Sequence, residues 1–133
     1  MTDAELEQAA IANGAPEGGI DRTVDVVLEA LGRHVARGAA ERLAKELPAL
    51  AADSLLRKSD GEPDPVDIPA VVAERLGIDE TDALNRVQAV FRAIADGVPA
   101  ETLDHVRPEL PEAMARLLSP AGENPVTSRR AGA

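Results

Sequence analysis

The chain has 133 residues, a formal net charge of −10 at pH 7 and no cysteine. Because phosphate backbones and anionic membrane surfaces attract basic proteins, this charge argues against nucleic acid and membrane partners, and the lack of cysteine excludes disulfides and thiol catalysis. The chain does not begin with a basic segment followed by an apolar one, and no apolar run approaches the roughly 20 residues that span a bilayer, so we expect a cytoplasmic protein without a signal peptide.

Apolar residues at helical spacing predict four helices in the first half of the chain. The first, over about residues 2–13, has few large apolar side chains and is expected to be poorly formed. The second is long and amphipathic, because its apolar residues repeat with helical periodicity, and Asp21 is its predicted N-cap. Pro48 ends a short third helix and opens a fourth, since proline fits only the first turn of a helix. The residues predicted to face the core in the second and fourth helices are Val24, Val27, Leu28, Leu31, Val35, Leu50, Ala51, Ser54 and Leu55.

An acidic linker is predicted at residues 58–67, where a glycine, two prolines and four acidic residues leave no helical pattern. Asp67 is then the predicted cap of a short helix that has Pro69 in its first turn. Gly77 is expected to end this helix, because glycine readily adopts the left-handed conformation found after a helical C-terminus.

A second long amphipathic helix follows, with Asp79 as its predicted N-cap. Its apolar stripe consists of Leu84, Val87, Phe91, Ile94 and Val98. Two short helices come after it, and Pro111 is expected to open the last one. Residues 119–133 contain two prolines and no apolar period, so they are predicted to form a disordered tail.

Shifting the chain by 63 residues aligns its two halves without a gap. The aligned identical residues include Val24 with Val87, Val27 with Val90, Val35 with Val98, and Glu46-Leu47-Pro48 with Glu109-Leu110-Pro111. In each Leu-Pro pair the leucine ends an apolar face and the proline forces a turn. The sequence therefore predicts an all-α fold, a compact helical bundle of two tandem pseudo-repeated helical units. We expect a single domain over residues 1–118, with unit one at about 5–57 and unit two at about 68–118.

The sequence Val-Ala-Glu-Arg-Leu-Gly at residues 72–77, the long helix that follows it and the Leu-Pro turns resemble the bacterial domain-of-unknown-function family numbered 2267. The resemblance covers about residues 5–118. The family's opening helix usually carries more large apolar residues than residues 6–11 supply here. The resemblance implies an all-helical fold in a bacterial cytoplasmic protein, and it brings no catalytic residues with it.

Glu101 and His105 are candidate metal ligands. Residues four apart share one face of a helix, and carboxylate and imidazole groups both bind zinc. Such a site needs further ligands from elsewhere, and His34, the only other histidine, does not align with His105 in the repeat. The alternative interpretation is a surface contact between the glutamate and the histidine.

Arg33, His34 and Arg37 form a basic cluster at the end of the first long helix. One interpretation is that these side chains stabilise that helix by interacting with its C-terminal dipole. The other is that they bind an acidic partner or a phosphate group. Arg129 and Arg130, in the predicted tail, are a second candidate for partner binding, as a short docking peptide.

The sequence contains no arrangement of residues that is typical of catalysis. It has no Gly-x-Ser-x-Gly turn and no phosphate-binding loop. We therefore expect a non-enzymatic protein without a cofactor that binds another protein, or a second copy of itself in a homodimer. The expected site is a groove between the long helices or at the seam between the units. The alternative is a small-ligand or metal-responsive sensor with a pocket between the two units.

Overall fold

The computed structural model describes residues 1–57, 59, 64 and 66–118, and within these ranges the fold is an all-helical bundle, as predicted. The helices are α1 (Asp3–Ala12), α2 (Ile20–His34), α3 (Arg37–Ala44), α4 (Ala49–Leu56), α5 (Ile68–Leu76), α6 (Glu80–Gly97), α7 (Ala100–Val106) and α8 (Glu112–Leu117). A single turn of 3-10 helix, Arg107–Glu109, follows α7. The predicted tail and most of the predicted linker lie outside the described residues.

Three predicted helix ends in the second half are confirmed. The Asp67 side chain accepts a hydrogen bond from the backbone N–H of Ala70, and the Asp79 side chain accepts one from that of Asp82. Gly77 ends α5 with a positive φ of 67°. These ends are set by neighbouring residues alone, since a short carboxylate satisfies free N–H groups in the first turn and glycine adopts the left-handed conformation without a steric penalty.

Two predictions about helices in the first half, the N-cap of the second helix and the poor formation of the first, are wrong. The N-cap of α2 is Gly19, with a φ of 71°, and Asp21 lies inside the first turn, where its charge still suits the helix dipole. The first helix is regular and not poorly formed. Thr2 and Glu5 form a reciprocal capping box at its start, which satisfies two otherwise free N–H groups and offsets the shortage of large apolar residues.

The core is aliphatic and is centred on the stripes of the two long helices. In α2 the five predicted stripe residues are all buried. In α6 the stripe is buried from Val87 to Val98, whereas Leu84 is only half-buried. Phe91 is fully buried and supplies the largest single side chain of the core, since aromatic side chains bury more area than aliphatic ones.

The helices that open the two halves each contact the long helix of the other half. Helix α1 packs far more extensively against α6 than against α2, its neighbour in sequence. Helix α5 packs against both long helices, and α3 packs against α7. The halves are therefore joined by crossed packing and by direct contact of their short helices.

Two contacts between the halves join residues that lie 63 positions apart. Arg86 Nη1 donates to Thr23 Oγ1 at 3.2 Å, and Arg42 Nη1 lies 3.3 Å from His105 Nε2. When two units are related by a twofold axis, only residues close to that axis contact their own counterparts. A pseudo-twofold axis between two repeated units would bring residues together in such pairs. The tandem repeat itself stays a prediction.

Candidate docking grooves

A surface groove with a volume of about 380 Å³ lies between the beginnings of α1 and α2 and one side of α4. We call it the α1–α4 groove. Its apolar lining consists of Leu6, Val24, Leu50 and Ala51, and its acidic lining consists of Asp3, Glu7, Asp21, Asp25 and Asp53. Arg22 and Arg57 also line it, so carboxylates outnumber guanidinium groups around a partly apolar surface.

Leu50 is 67 % exposed in this groove, and among the described residues the only other large hydrophobic side chain with high exposure is Met1. The prediction that Leu50 faces the core is therefore wrong. Consecutive residues point about 100° apart around a helix, so burial of the adjacent Ala51 turns Leu50 away from α2. Leu50 therefore adds an exposed apolar side chain to the lining of the groove.

The acidic side chains of the α1–α4 groove fall into two groups. Asp3 accepts hydrogen bonds from the backbone N–H groups of Leu50 and Ala51 at the start of α4, and so it ties α1 to α4. By contrast, Glu7, Asp21 and Asp53 form no side-chain hydrogen bond or ion pair within the described part of the chain. Among the described residues, these three carboxylates are the acidic groups of the groove that are not held in an ion pair or hydrogen bond.

An ionic network centred on the buried Glu29 adjoins the α1–α4 groove. Glu29 of α2 is only 3 % exposed and binds two arginines, Arg57 at 3.1 Å and Arg75 of α5. Arg57 also pairs with Asp25 at 3.0 Å, and the same carboxylate oxygen accepts a hydrogen bond from Ser54 at 2.5 Å. The network thus joins α2, α4 and α5. Sequence patterns did not reveal it, because a glutamate on a helix is normally exposed.

The two carboxyl groups of this network stay ionised at neutral pH. Burial acts to raise the pKa of Glu29, but hydrogen bonds from Arg75 and Arg57 outweigh it and hold the pKa below the ordinary value. In the same way burial acts to raise the pKa of Asp25, and hydrogen bonds from Ser54 and Arg57 lower it overall. Each carboxylate is stabilised by donors that favour its charged form.

A second groove, with a volume of about 550 Å³, lies where the beginnings of α5 and α8 meet the end of α2. We call it the α5–α8 groove. It is mainly apolar, and its lining consists of His34, Val66, Asp67, Ile68, Pro69, Pro111, Ala113 and Met114. Its volume falls in the range of about 300–1,000 Å³ that is usual for small-molecule sites.

Only one residue of the predicted basic cluster lines a groove. His34 Nδ1 lies 3.0 Å from the carbonyl oxygen of Val66. A carbonyl oxygen can only accept, so Nδ1 carries the proton and, in the neutral ring, Nε2 is an acceptor. Arg33 pairs with Asp64 at 3.2 Å, and Arg37 pairs with Glu41 at 3.1 Å. Two of the three cluster residues, Arg33 and His34, therefore contact the segment that leads into α5.

The 63-residue register that aligns the two halves also relates the two grooves. Four lining positions of one groove coincide with four of the other: Asp3 with Val66, Leu6 with Pro69, Leu50 with Ala113, and Ala51 with Met114. Both grooves thus lie between the first and last helices of their half. The matched positions are apolar in both grooves except for Asp3, whose counterpart is Val66, and the further carboxylates of the first groove lie at positions that do not line the second.

The proposed metal ligands Glu101 and His105 both lie on α7, as expected from their spacing. The structure brings the guanidinium of Arg42 to within 3.3 Å of His105 Nε2, and a cation at this distance disfavours a metal ion at the same nitrogen. No group of three or more potential metal ligands occurs in the described part of the chain. Arg129 and Arg130, the other predicted partner-binding residues, lie outside it.

The fold and the two grooves define a class of protein, an all-helical bundle that presents one acidic, partly apolar groove and one mainly apolar groove. A family model described as "Uncharacterized conserved protein (DUF2267)" matches residues 7–117, so the chain belongs to this family, and the resemblance drawn from the sequence is confirmed. Searches among curated proteins and among solved structures found no significant match. No helix formed by residues 1–57 or 66–118 is long and apolar enough to cross a membrane.

Proposed function

We propose that the protein is a non-enzymatic binding module whose α1–α4 groove holds a basic segment of a protein partner. The observation that carries this proposal is the exposed Leu50 beside three carboxylates, Glu7, Asp21 and Asp53, that have no partner among the described residues. Such a surface fits a segment that combines an apolar side chain with lysine or arginine residues.

The apolar part of the groove supplies an anchoring position. Leu50 projects beside Leu6, Val24 and Ala51, which are buried beneath the groove. Removing exposed apolar surface from water is favourable by about 25 cal/mol per Å², and the entropy lost on association offsets part of this gain. A leucine or methionine side chain of the partner would bury Leu50 in this way, and central apolar contacts of this kind often supply most of the affinity of an interface.

The charged part of the groove supplies orientation and selectivity. Three carboxylates without partners attract basic side chains and repel acidic ones. The net charge of −10 extends this attraction to the approach of the partner. Because exposed charges are screened by salt, binding should weaken as the ionic strength rises.

A labelled peptide of sequence Arg-Arg-Leu-Leu-Arg-Arg tests the proposal by fluorescence anisotropy. The protein should bind it, and peptides in which the leucines are replaced by serines or the arginines by glutamates should bind much more weakly. Leu50→Ser should reduce the affinity, whereas Ala113→Ser, at the corresponding position of the other groove, should not.

A charge-matched pair of variants separates the groove from the net charge. The triple variant Glu7→Gln/Asp21→Asn/Asp53→Asn should lose most of the affinity. The control Glu74→Gln/Glu80→Gln/Asp96→Asn removes the same charge at exposed positions that do not line the groove, so it should retain the affinity. Equal losses in both variants would show that the peptide responds only to overall charge and would reject the groove as its site.

A second candidate function is the recognition of a small ligand in the α5–α8 groove. Its apolar lining and the acceptor nitrogen of His34 favour this candidate. Thermal unfolding with a panel of metabolites and divalent metals tests it, because a ligand at 100 times its Kd adds about 2.7 kcal/mol to the free energy of unfolding. A shift that is lost in Met114→Glu would support this function, and the absence of any shift across the panel would reject it for those compounds.

A further inference from the structure

We propose that the carboxyl-terminal segment of the same chain, from Val126 to Arg130, competes for the α1–α4 groove and occupies it when no partner is bound. This inference rests on the proposed function, because it assigns the groove a resident occupant with the chemistry expected of the partner. A groove that is filled by a segment of its own chain cannot bind a partner until that segment is displaced, so the protein inhibits its own binding.

The chemistry of the segment complements the groove. Residues 126–130 are Val-Thr-Ser-Arg-Arg, and no acidic residue follows Glu123. Val126 supplies an apolar side chain for the surface around Leu50, and the two arginines supply charge for the carboxylates without partners. A guanidinium group binds a carboxylate through two parallel hydrogen bonds.

Charge favours the α1–α4 groove over the α5–α8 groove for this segment. The α5–α8 groove has one carboxylate in its lining, Asp67, and this side chain already caps α5 by accepting from the N–H of Ala70. In the α1–α4 groove, Glu7, Asp21 and Asp53 have no such partner within the described residues. Two arginines therefore gain more from the first groove than from the second.

The chain is long enough for the segment to reach the groove. The described residues end at Leu118, whose carbonyl oxygen accepts from Arg107 Nη1 at 3.0 Å. An extended chain spans up to about 3.3–3.6 Å per residue, so Val126 can lie up to roughly 26–29 Å from Leu118 and Arg129 up to roughly 36–40 Å. A domain of this size has a radius of gyration of about 13 Å, so these lengths exceed its radius by about twofold or more.

Paramagnetic relaxation enhancement tests the location of the segment in the full chain. Because the protein has no cysteine, Ala131→Cys provides a single attachment point for a nitroxide. The label should broaden the backbone amide signals of residues 3–7 and 50–54. The same labelled chain with Arg129→Ala/Arg130→Ala should lose this broadening, and so should the sample in high salt. Broadening at other surfaces, or at none, would overturn the inference.

A mixing experiment identifies which chain supplies the segment. Isotope-labelled protein without the nitroxide is mixed with nitroxide-labelled protein at natural isotope abundance. If the segment binds its own chain, the groove signals of the isotope-labelled molecules stay sharp. Broadening in the mixture would mean that the segment binds a second copy, which would overturn self-inhibition in favour of dimerisation.

A competition experiment separates failure of this inference from failure of the proposed function. The probe is a fluorescein-labelled peptide with the sequence of residues 124–133. A tethered segment has an effective concentration of ~1 mM at the groove. If its Kd for the groove is about 0.1 mM, it weakens binding of the probe about tenfold. The Arg129→Ala/Arg130→Ala chain should therefore bind the probe about tenfold more tightly than the unaltered chain. Equal binding of the probe by both chains would reject self-inhibition but would leave the proposed function of the groove intact. If neither chain bound this probe or the Arg-Arg-Leu-Leu-Arg-Arg peptide, both proposals would be wrong.

Discussion

Gly32 of α2 faces the backbone carbonyl oxygen of Leu55 in α4 so closely that a Cβ atom at position 32 would clash with it. This approach explains the extensive packing of α4 on α2. The corresponding residue in the 63-residue register is Ala95, and α8 packs less extensively on α6 than α4 does on α2. Ala95 thus carries a methyl group where Gly32 has none, and α8, with 6 residues, is also shorter than α4, with 8.

Gly32→Ala should destabilise the protein by about 1–3 kcal/mol, the usual cost of overpacking. This loss is expected even though alanine is the better helix former by about 1 kcal/mol. Urea unfolding followed by circular dichroism measures it. Gly38→Ala is the matched control, because a Cβ at position 38 would meet nothing within 4 Å, and it should be neutral or slightly stabilising. Similar unfolding midpoints for the two variants would contradict the close contact.

Leu31→Ala and Ile94→Ala, at positions matched by the register, should each cost about 2–5 kcal/mol. Both side chains are fully buried, one in each long helix. Leu50→Ala should change the free energy of unfolding little, because Leu50 is exposed. Chemical denaturation of the three variants provides the comparison, and a neutral result at either buried position would argue against a core shared by both halves.

Stability should decline in acid because of the network around Glu29. Since the pKa of both Asp25 and Glu29 is lower in the folded protein than the ordinary values of 3.8 and 4.5, the two carboxylates stabilise the fold above those values. The stabilisation is lost as the pH falls through the lower folded pKa values. Unfolding midpoints measured from neutral pH to about pH 3 should fall, and Glu29→Gln should reduce the slope.

The matched control for this pH series is Glu112→Gln. Glu112 also pairs with an arginine, Arg116, but both side chains are largely exposed, and such pairs contribute about 0–1 kcal/mol. Its acid profile should follow that of the unaltered protein. If Glu29→Gln gave the same profile as Glu112→Gln, the buried network would not be the source of the acid sensitivity.

Zinc should not stabilise the protein through Glu101 and His105. The guanidinium of Arg42 lies beside the histidine, and the described residues provide no third ligand. Thermal unfolding with and without zinc chloride measures the effect. Stabilisation that disappears in His105→Ala and grows in Arg42→Ala would instead establish the metal site.

Local signals in the sequence predicted what depends on neighbouring residues. Asp67, Gly77 and Asp79 act within one helical turn, so their roles follow from the sequence alone. The Thr2–Glu5 capping box is an equally local signal, and it could have predicted a regular α1. Most residues of the predicted amphipathic stripes are likewise buried.

The grooves could not be predicted in the same way, because they depend on how distant elements pack. The exposure of Leu50 follows from the position of α4 on α2, and the burial of Glu29 follows from arginines that approach from α4 and α5. The sequence interpretation placed α1 within the first half, whereas it packs chiefly on α6. The wall that α1 contributes to the α1–α4 groove therefore depends on the second half of the chain.

The position of α1 has a consequence for the order in which the protein can fold during synthesis. Helix α1 leaves the ribosome well before α6, the helix on which it packs most extensively and which ends only at Gly97. A ten-residue helix is marginal in water without tertiary packing. The growing chain must therefore carry α1 without its main packing surface until α6 has been made, and the α1–α4 groove cannot be complete before then.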